Sequence, residues 1–231
     1  MIVLPQLLIA HFIGDFFAQP TVWVKAKEEK KLAAWQLYVH SLLHGALSWL
    51  LVYEFAFWKW AIVVAVFHFI IDAVKLLFQT ESSKRSWFFV DQILHLASLY
   101  AVWVWYTSPA FSFSGNVWLA ATLAIFLSNP CSYAIKTFIS KWSPFTGDKT
   151  DDSLQSAGKY IGIFERFFVF AFVVTGYLGG IAFLITAKSV FRFGDLKEAK
   201  DRKLTEYILI GTLASFGLAM LAGTLYIRLK K

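Results

Sequence analysis

The chain has five histidines, and each has a histidine or an aspartate four residues away. His11 precedes Asp15, His40 precedes His44, His68 precedes Asp72, and Asp91 precedes His95. On an α-helix, side chains four apart lie on one face, one turn apart. That is how helical bundles collect two metal ligands from each helix. Four such helices would offer eight donors, five imidazoles and three carboxylates. Eight is too many for one tetrahedral ion and suits two divalent ions that share a bridge or a water. Mixed imidazole and carboxylate donors suit zinc, iron or manganese. Two simpler readings stand beside this one. A lone intramembrane histidine is ordinarily an interhelical hydrogen-bond partner. Asp–His pairs can also relay protons without a metal.

The elements that must carry these pairs are membrane spans. The chain has 231 residues, of which 58% are hydrophobic and 16% charged. The charged share is well below the roughly 25% of a soluble domain. The sequence predicts an all-α polytopic transmembrane bundle. Six spans are expected, near 2–19, 35–53, 58–78, 87–107, 117–139 and 206–228, together with a broken or re-entrant segment at 160–190. Each span has about the 20 apolar residues that cross a bilayer. Trp23, Trp35, Trp58, Trp60, Trp87, Trp105, Trp118 and Trp142 fall near span ends, where interfacial belts lie. Asn129-Pro130 should break the fifth span, and Gly176, Gly179 and Gly180 interrupt the segment at 160–190. The first apolar run begins at Ile2 with no basic stretch ahead of it and contains site residues, so it is expected to be a retained span. With no repeat or linker in view, one membrane domain is expected over 1–231. Its metal-site half is 1–107, and the C-terminal helices of 108–231 complete the bundle.

The net charge of +7 would suggest nucleic acid in a soluble protein. Here the basic residues lie between apolar runs, which fits cytoplasmic loops and anionic headgroups, with no nucleic-acid partner. Lys25, Lys27, Lys30 and Lys31 follow the first span, Lys84 and Arg85 the third, and Lys141 and Lys149 the fifth. The N-terminus is therefore expected outside. This topology puts all four His/Asp pairs in the cytoplasmic third of the bilayer, an agreement that the spacing did not require. A single cysteine, Cys131, rules out an internal disulfide. Ionisable residues deep in a span cost about 2.5–3.5 kcal/mol each, so eight of them demand a cation or mutual pairing.

Further polar residues extend the set. Gln19, Lys75 and Gln92 lie near the pairs and are candidates to orient them or to meet substrate, although Lys75 could equally reach the headgroups. Lys188 and Arg192 are four apart and could hold a phosphate or carboxylate, or simply end a helix at the interface. Glu165 and Arg166 read as an interhelical ion pair.

His-Phe-Ile-Gly-Asp-Phe-Phe-Ala-Gln at 11–19, His-Ser-Leu-Leu-His at 40–44, His-Phe-Ile-Ile-Asp-Ala-Val-Lys at 68–75 and Asp-Gln-Ile-Leu-His at 91–95 form a specific set. Together they resemble an uncharacterised family of bacterial integral-membrane proteins, the domain of unknown function three-three-zero-seven. The resemblance covers roughly the first hundred residues. The stretch from Gly158 to Phe216 is similar to the tail of longer members. The resemblance implies a multi-pass protein of the bacterial inner membrane and leaves the reaction open.

Three functions compete on this evidence. The first is a metal-dependent hydrolase in which two ions would activate water, acting on a lipid or lipid-linked (phospho)ester near the cytoplasmic leaflet. Its donor types resemble those of the all-helical His-Asp phosphohydrolases. The second is a di-iron, oxygen-using lipid hydroxylase or desaturase, although membrane desaturases carry adjacent His-His pairs that this chain lacks. The third is a divalent-metal transporter or sensor, against which stands the absence of symmetric repeats.

Overall fold

The computed structural model describes residues 3–107, 116–143, 152–190 and 199–230, and every regular element among them is helical. The helices are α1 (Val3–Phe16), α2 (Thr21–Lys30), α3 (Trp35–Val52), α4 (Trp58–Phe78), α5 (Lys84–Thr107), α6 (Asn116–Leu127), α7 (Asn129–Ile139), α8 (Asp152–Thr175), α9 (Leu178–Val190) and α10 (Ala199–Leu229). Four helical stretches, Phe55–Phe78, Lys84–Thr107, Val117–Trp142 and Lys203–Leu229, are long and apolar enough to cross a membrane. α1 passes the same test together with Thr21–Ala33, as a pair bent by 80°. α3 is shorter, at 18 residues, with polar His40 and His44 facing inward. The protein is a polytopic membrane helix bundle of about six spans.

The described chain forms two compact units, 1–125 and 126–231. In the first, α3 packs between α1 and α4, and α5 closes the group against α4 and α1. Gly45 permits the α3–α4 approach, because a Cβ there would stand 2.8 Å from the Ala61 carbonyl oxygen. One end of this group is apolar, built from Val3, Leu7, Val52, Phe57, Ala61, Val64, Leu99, Val102 and Trp103. Trp60, Trp105 and Tyr106 cluster there, and Tyr106 donates to Glu54. The Trp23–Trp35 contact marks the other end. Amphipathic rings at both ends fit the two interfaces of a bilayer. Outward faces stay apolar, as Leu42, Ile93 and Phe78 show with exposures of 67%, 64% and 66%.

Several expected breaks are present. α6 ends at Leu127 and α7 restarts at Asn129, with Pro130 in its first turn, where a missing N–H costs nothing. Gly176 separates α8 from α9 at φ +78°, a conformation that disfavours other residues. The break in 160–190 leaves unequal arms, because α8 begins at Asp152 and runs 24 residues whereas α9 has 13. The stretch 25–31 differs from the expected loop. Most of it is helix α2, which turns back by 80° after Pro20.

In the second unit, α8 packs on α10, α7 and α9. Arg166 is buried here, and its guanidinium donates to the carbonyl oxygens of Leu127 (2.5 Å) and Ser128 (3.1 Å) and to the hydroxyls of Ser132 (2.6 Å) and Ser215 (3.2 Å). These carbonyls lie at the negative dipole end of α6; that of Ser128 also accepts from the backbone N–H of Ser132 at 3.2 Å, whereas that of Leu127 is met by Arg166 at the break. Arg166 supplies both the donors and the charge.

Candidate metal centre

All four pairs face one another at the same end of the first unit. His11 and Asp15 come from the last turns of α1, and His68 and Asp72 from the second half of α4. His40 comes from the first half of α3 and His44 from its middle, and Asp91 and His95 come from the first half of α5. The five imidazoles, Asp72 and Asp91 are buried at 5% exposure or less. The Asp15 side chain is the most open of the eight, at 12%.

Asp15 sits at the hub. Its Oδ1 lies 3.0 Å from His44 Nε2, 3.2 Å from His40 Nε2 and 3.6 Å from His68 Nε2. Its Oδ2 lies 3.7 Å from His11 Nε2 and accepts a 2.9 Å hydrogen bond from Gln92. His95 Nε2 stands 3.4 Å from both Asp72 Oδ1 and Asp91 Oδ1. His40 Nε2 and His68 Nε2 are 3.1 Å apart. The rings of His44, His68 and His95 stack in a column, with centroids 3.6 Å and 4.0 Å apart.

Three groups of donors converge tightly enough to hold an ion: His11, Asp15, His44 and His68; His40, His68 and Asp72; and Asp15, Asp91 and His95. Two ligands of a tetrahedral ion with bonds of about 2.0–2.2 Å sit about 3.4 Å from each other. The separations above bracket that value. The hydrogen bonding gives a second test. His44 Nε2, His95 Nε2 and Asp91 Oδ1 are buried and make no hydrogen bond, although each has a polar atom within 3.4 Å. They are close without the alignment of an N–H···O bond, which suits lone pairs aimed at a common point. Buried polar atoms are rarely left unpaired, so these residues fit a divalent ion.

The surrounding polar residues hold the donors in place. Gln19 Nε2 lies 2.9 Å from His40 Nε2. Gln92 contacts His11, Asp15 and Asp91. Lys75 donates to Asp91 Oδ2 at 2.9 Å and is 25% exposed. All three expected neighbours of the pairs are thus at the centre. Lys188, in the second unit, donates to Glu165 at 2.7 Å, and Arg192 lies outside the described residues. Glu165 pairs with Lys188 and not with Arg166, because adjacent helical residues point away from each other.

Two residues that matter here do not stand out as site residues in the sequence. Lys27 of α2 is buried at 6% and donates to Asp72 Oδ2 at 2.7 Å. It is one of four lysines in a charged stretch, and only the bend after Pro20 brings it inward. Gly14 is the other. A Cβ there would lie 2.4 Å from His44 Cε1 and Nε2, so the ring can approach α1 only over glycine. Its place beside Asp15 was the available signal.

The family described as protein of unknown function (DUF3307) matches residues 3–123. The chain belongs to this family. The DUF3307 match ends two residues before the first compact unit does, so it contains all four pairs together with Lys27. No curated protein and no solved structure matches the chain.

Proposed function

We propose that this DUF3307 protein is a membrane-embedded, metal-dependent hydrolase with a binuclear centre. The ligands are His11, Asp15, His40, His44, His68, Asp72, Asp91 and His95, and the ions are zinc, manganese or iron. The observation that carries the reading is the position of Asp15. It belongs to two of the three donor groups, and its two oxygens face different partners. A carboxylate so placed suits a bridge between two ions. Bound divalent ions would supply an activated water near neutral pH and stabilise charge on a phosphoryl oxygen.

The protein's own residues suggest the substrate. Lys75 is the partly exposed cation beside the donors, and Asp15 is their most open member, so an anionic group meets the centre on that side. The apolar outer faces of α3, α4 and α5 would suit acyl chains beside it. A lipid or lipid-linked phosphoester fits both features. Lys75 would then bind the phosphate electrostatically, with Gln92 orienting His11 and Asp15. The basic stretches support a position for this end on the cytoplasmic side of a bacterial inner membrane, with the N-terminus outside.

Elemental analysis of the detergent-purified protein tests the proposal, with His44→Ala and Asp72→Ala beside the wild type. About two equivalents of one metal are expected in the wild type, fewer in both variants, with phosphate released from a lipid phosphoester in proportion to the metal. Absence of metal after reconstitution would overturn the centre. Iron with oxygen consumption and no phosphate release would replace hydrolysis by oxidation.

A further inference from the structure

The three carboxylates of the centre are not equally available. Lys75 holds Asp91 by Oδ2, and the other oxygen of Asp91 stays unpaired toward His95. Lys27 instead holds Asp72 by Oδ2, the oxygen that faces His40 at 3.9 Å. That is the carboxylate of the second donor group, His40, His68 and Asp72. An ion bound to Oδ2 at about 2.1 Å could stand no more than about 4.8 Å from an ammonium that lies 2.7 Å from the same oxygen. Like charges that close in a buried site repel strongly. The ammonium and a divalent ion are therefore alternatives at this oxygen.

The element that carries Lys27 is weakly attached. Among the residues of α2, Lys27 alone is buried, so the helix contributes no buried apolar side chain. Its other ion pair, Glu28 with Lys84 at 3.1 Å, is about one-third exposed on both sides and is of the kind that contributes little. α2 ends on Lys31 at φ +49°, a backbone conformation that favours glycine. Elements with few buried contacts open at low cost.

We infer that Lys27 is a tethered cation that fills the Asp72 position when metal is scarce and is displaced, with α2, when a divalent ion takes the His40–His68–Asp72 group. The inference rests on the metal reading above and adds a competitor to it. At low metal Lys27 neutralises Asp72 and α2 stays docked. At high metal the ion replaces the ammonium, and Lys27 moves out to the headgroup region.

Two measurements on the full-length protein test this, with zinc as the probe. In the wild type, labelling of Lys27 by an amine-reactive reagent is read by mass spectrometry, without and with saturating zinc. Protection without zinc and labelling with it is the expected result. Lys27 protected at saturating zinc would overturn the inference while leaving the metal centre intact. In the second measurement, Lys27→Met is expected to bind its weakest zinc equivalent at least about tenfold more tightly than the wild type, and Lys27→Arg to stay close to the wild type. Equal or weaker binding in Lys27→Met would also overturn it. If the wild type binds no zinc at all, the metal reading fails first and this inference fails with it.

Discussion

Both units bury charge among apolar helices, and they treat it in opposite ways. In the second unit, every nitrogen of the Arg166 guanidinium finds an oxygen, two of these oxygens being carbonyls at the α6–α7 break. In the first unit, eight ionisable side chains crowd together, and His44 Nε2, His95 Nε2 and Asp91 Oδ1 are left without hydrogen bonds. A saturated buried charge has its partners within the fold and serves structure. A cluster that keeps several buried ring nitrogens and a carboxylate oxygen without hydrogen bonds is incomplete in itself and suits a partner from outside the chain. Burial alone does not separate the two cases, because Arg166 and His68 are both 3% exposed.

Substitutions at the two sites should therefore fail differently. The largest effect is expected at the hub. Asp15→Asn keeps the shape but removes the charge shared by two donor groups, so bound metal and any hydrolytic activity should fall below detection by elemental analysis and phosphate release. The protein should still be extracted as a folded species. A variant that keeps full metal content would erase the distinction drawn here. Arg166→Ala should do the reverse. It strands the Leu127 carbonyl, at about 1–3 kcal/mol, and removes the donors to Ser132 and Ser215, which should lower the thermal midpoint in detergent, while the protein that remains folded keeps its metal. Gly14→Ala should have a smaller effect. The added methyl pushes His44 off its position, and zinc affinity should drop by about 10–100-fold, the range for misoriented ligands, with little change in helix content by circular dichroism.

Much of the centre was legible in the sequence because its grammar is local. A spacing of four needs no tertiary information to put two side chains on one face, and all four pairs meet as that spacing implied. The break at Asn129-Pro130 and the one at Gly176 were legible for the same reason, since a missing N–H and a positive φ are properties of single residues. Lys27 was not legible. Its neighbours Lys25, Lys30 and Lys31 are exposed, and nothing in residue type sets it apart from them. Its role comes from the 80° turn between α1 and α2, which depends on how α2 meets the rest of the unit. Gly14 lay between, since glycine beside a ligand hints at close approach, but His44 as the approaching group is a tertiary fact.

The column of His44, His68 and His95 limits motion as well as position. With centroids 3.6 Å and 4.0 Å apart and planes within 16° and 18° of parallel, no ring has room to flip about its Cβ–Cγ bond alone. His68, covered on both faces, is caged by the other two. Stacked packing restricts the χ1 and χ2 torsions of all three imidazoles together, so ordering entropy of assembling them is lost on folding, before any ligand arrives.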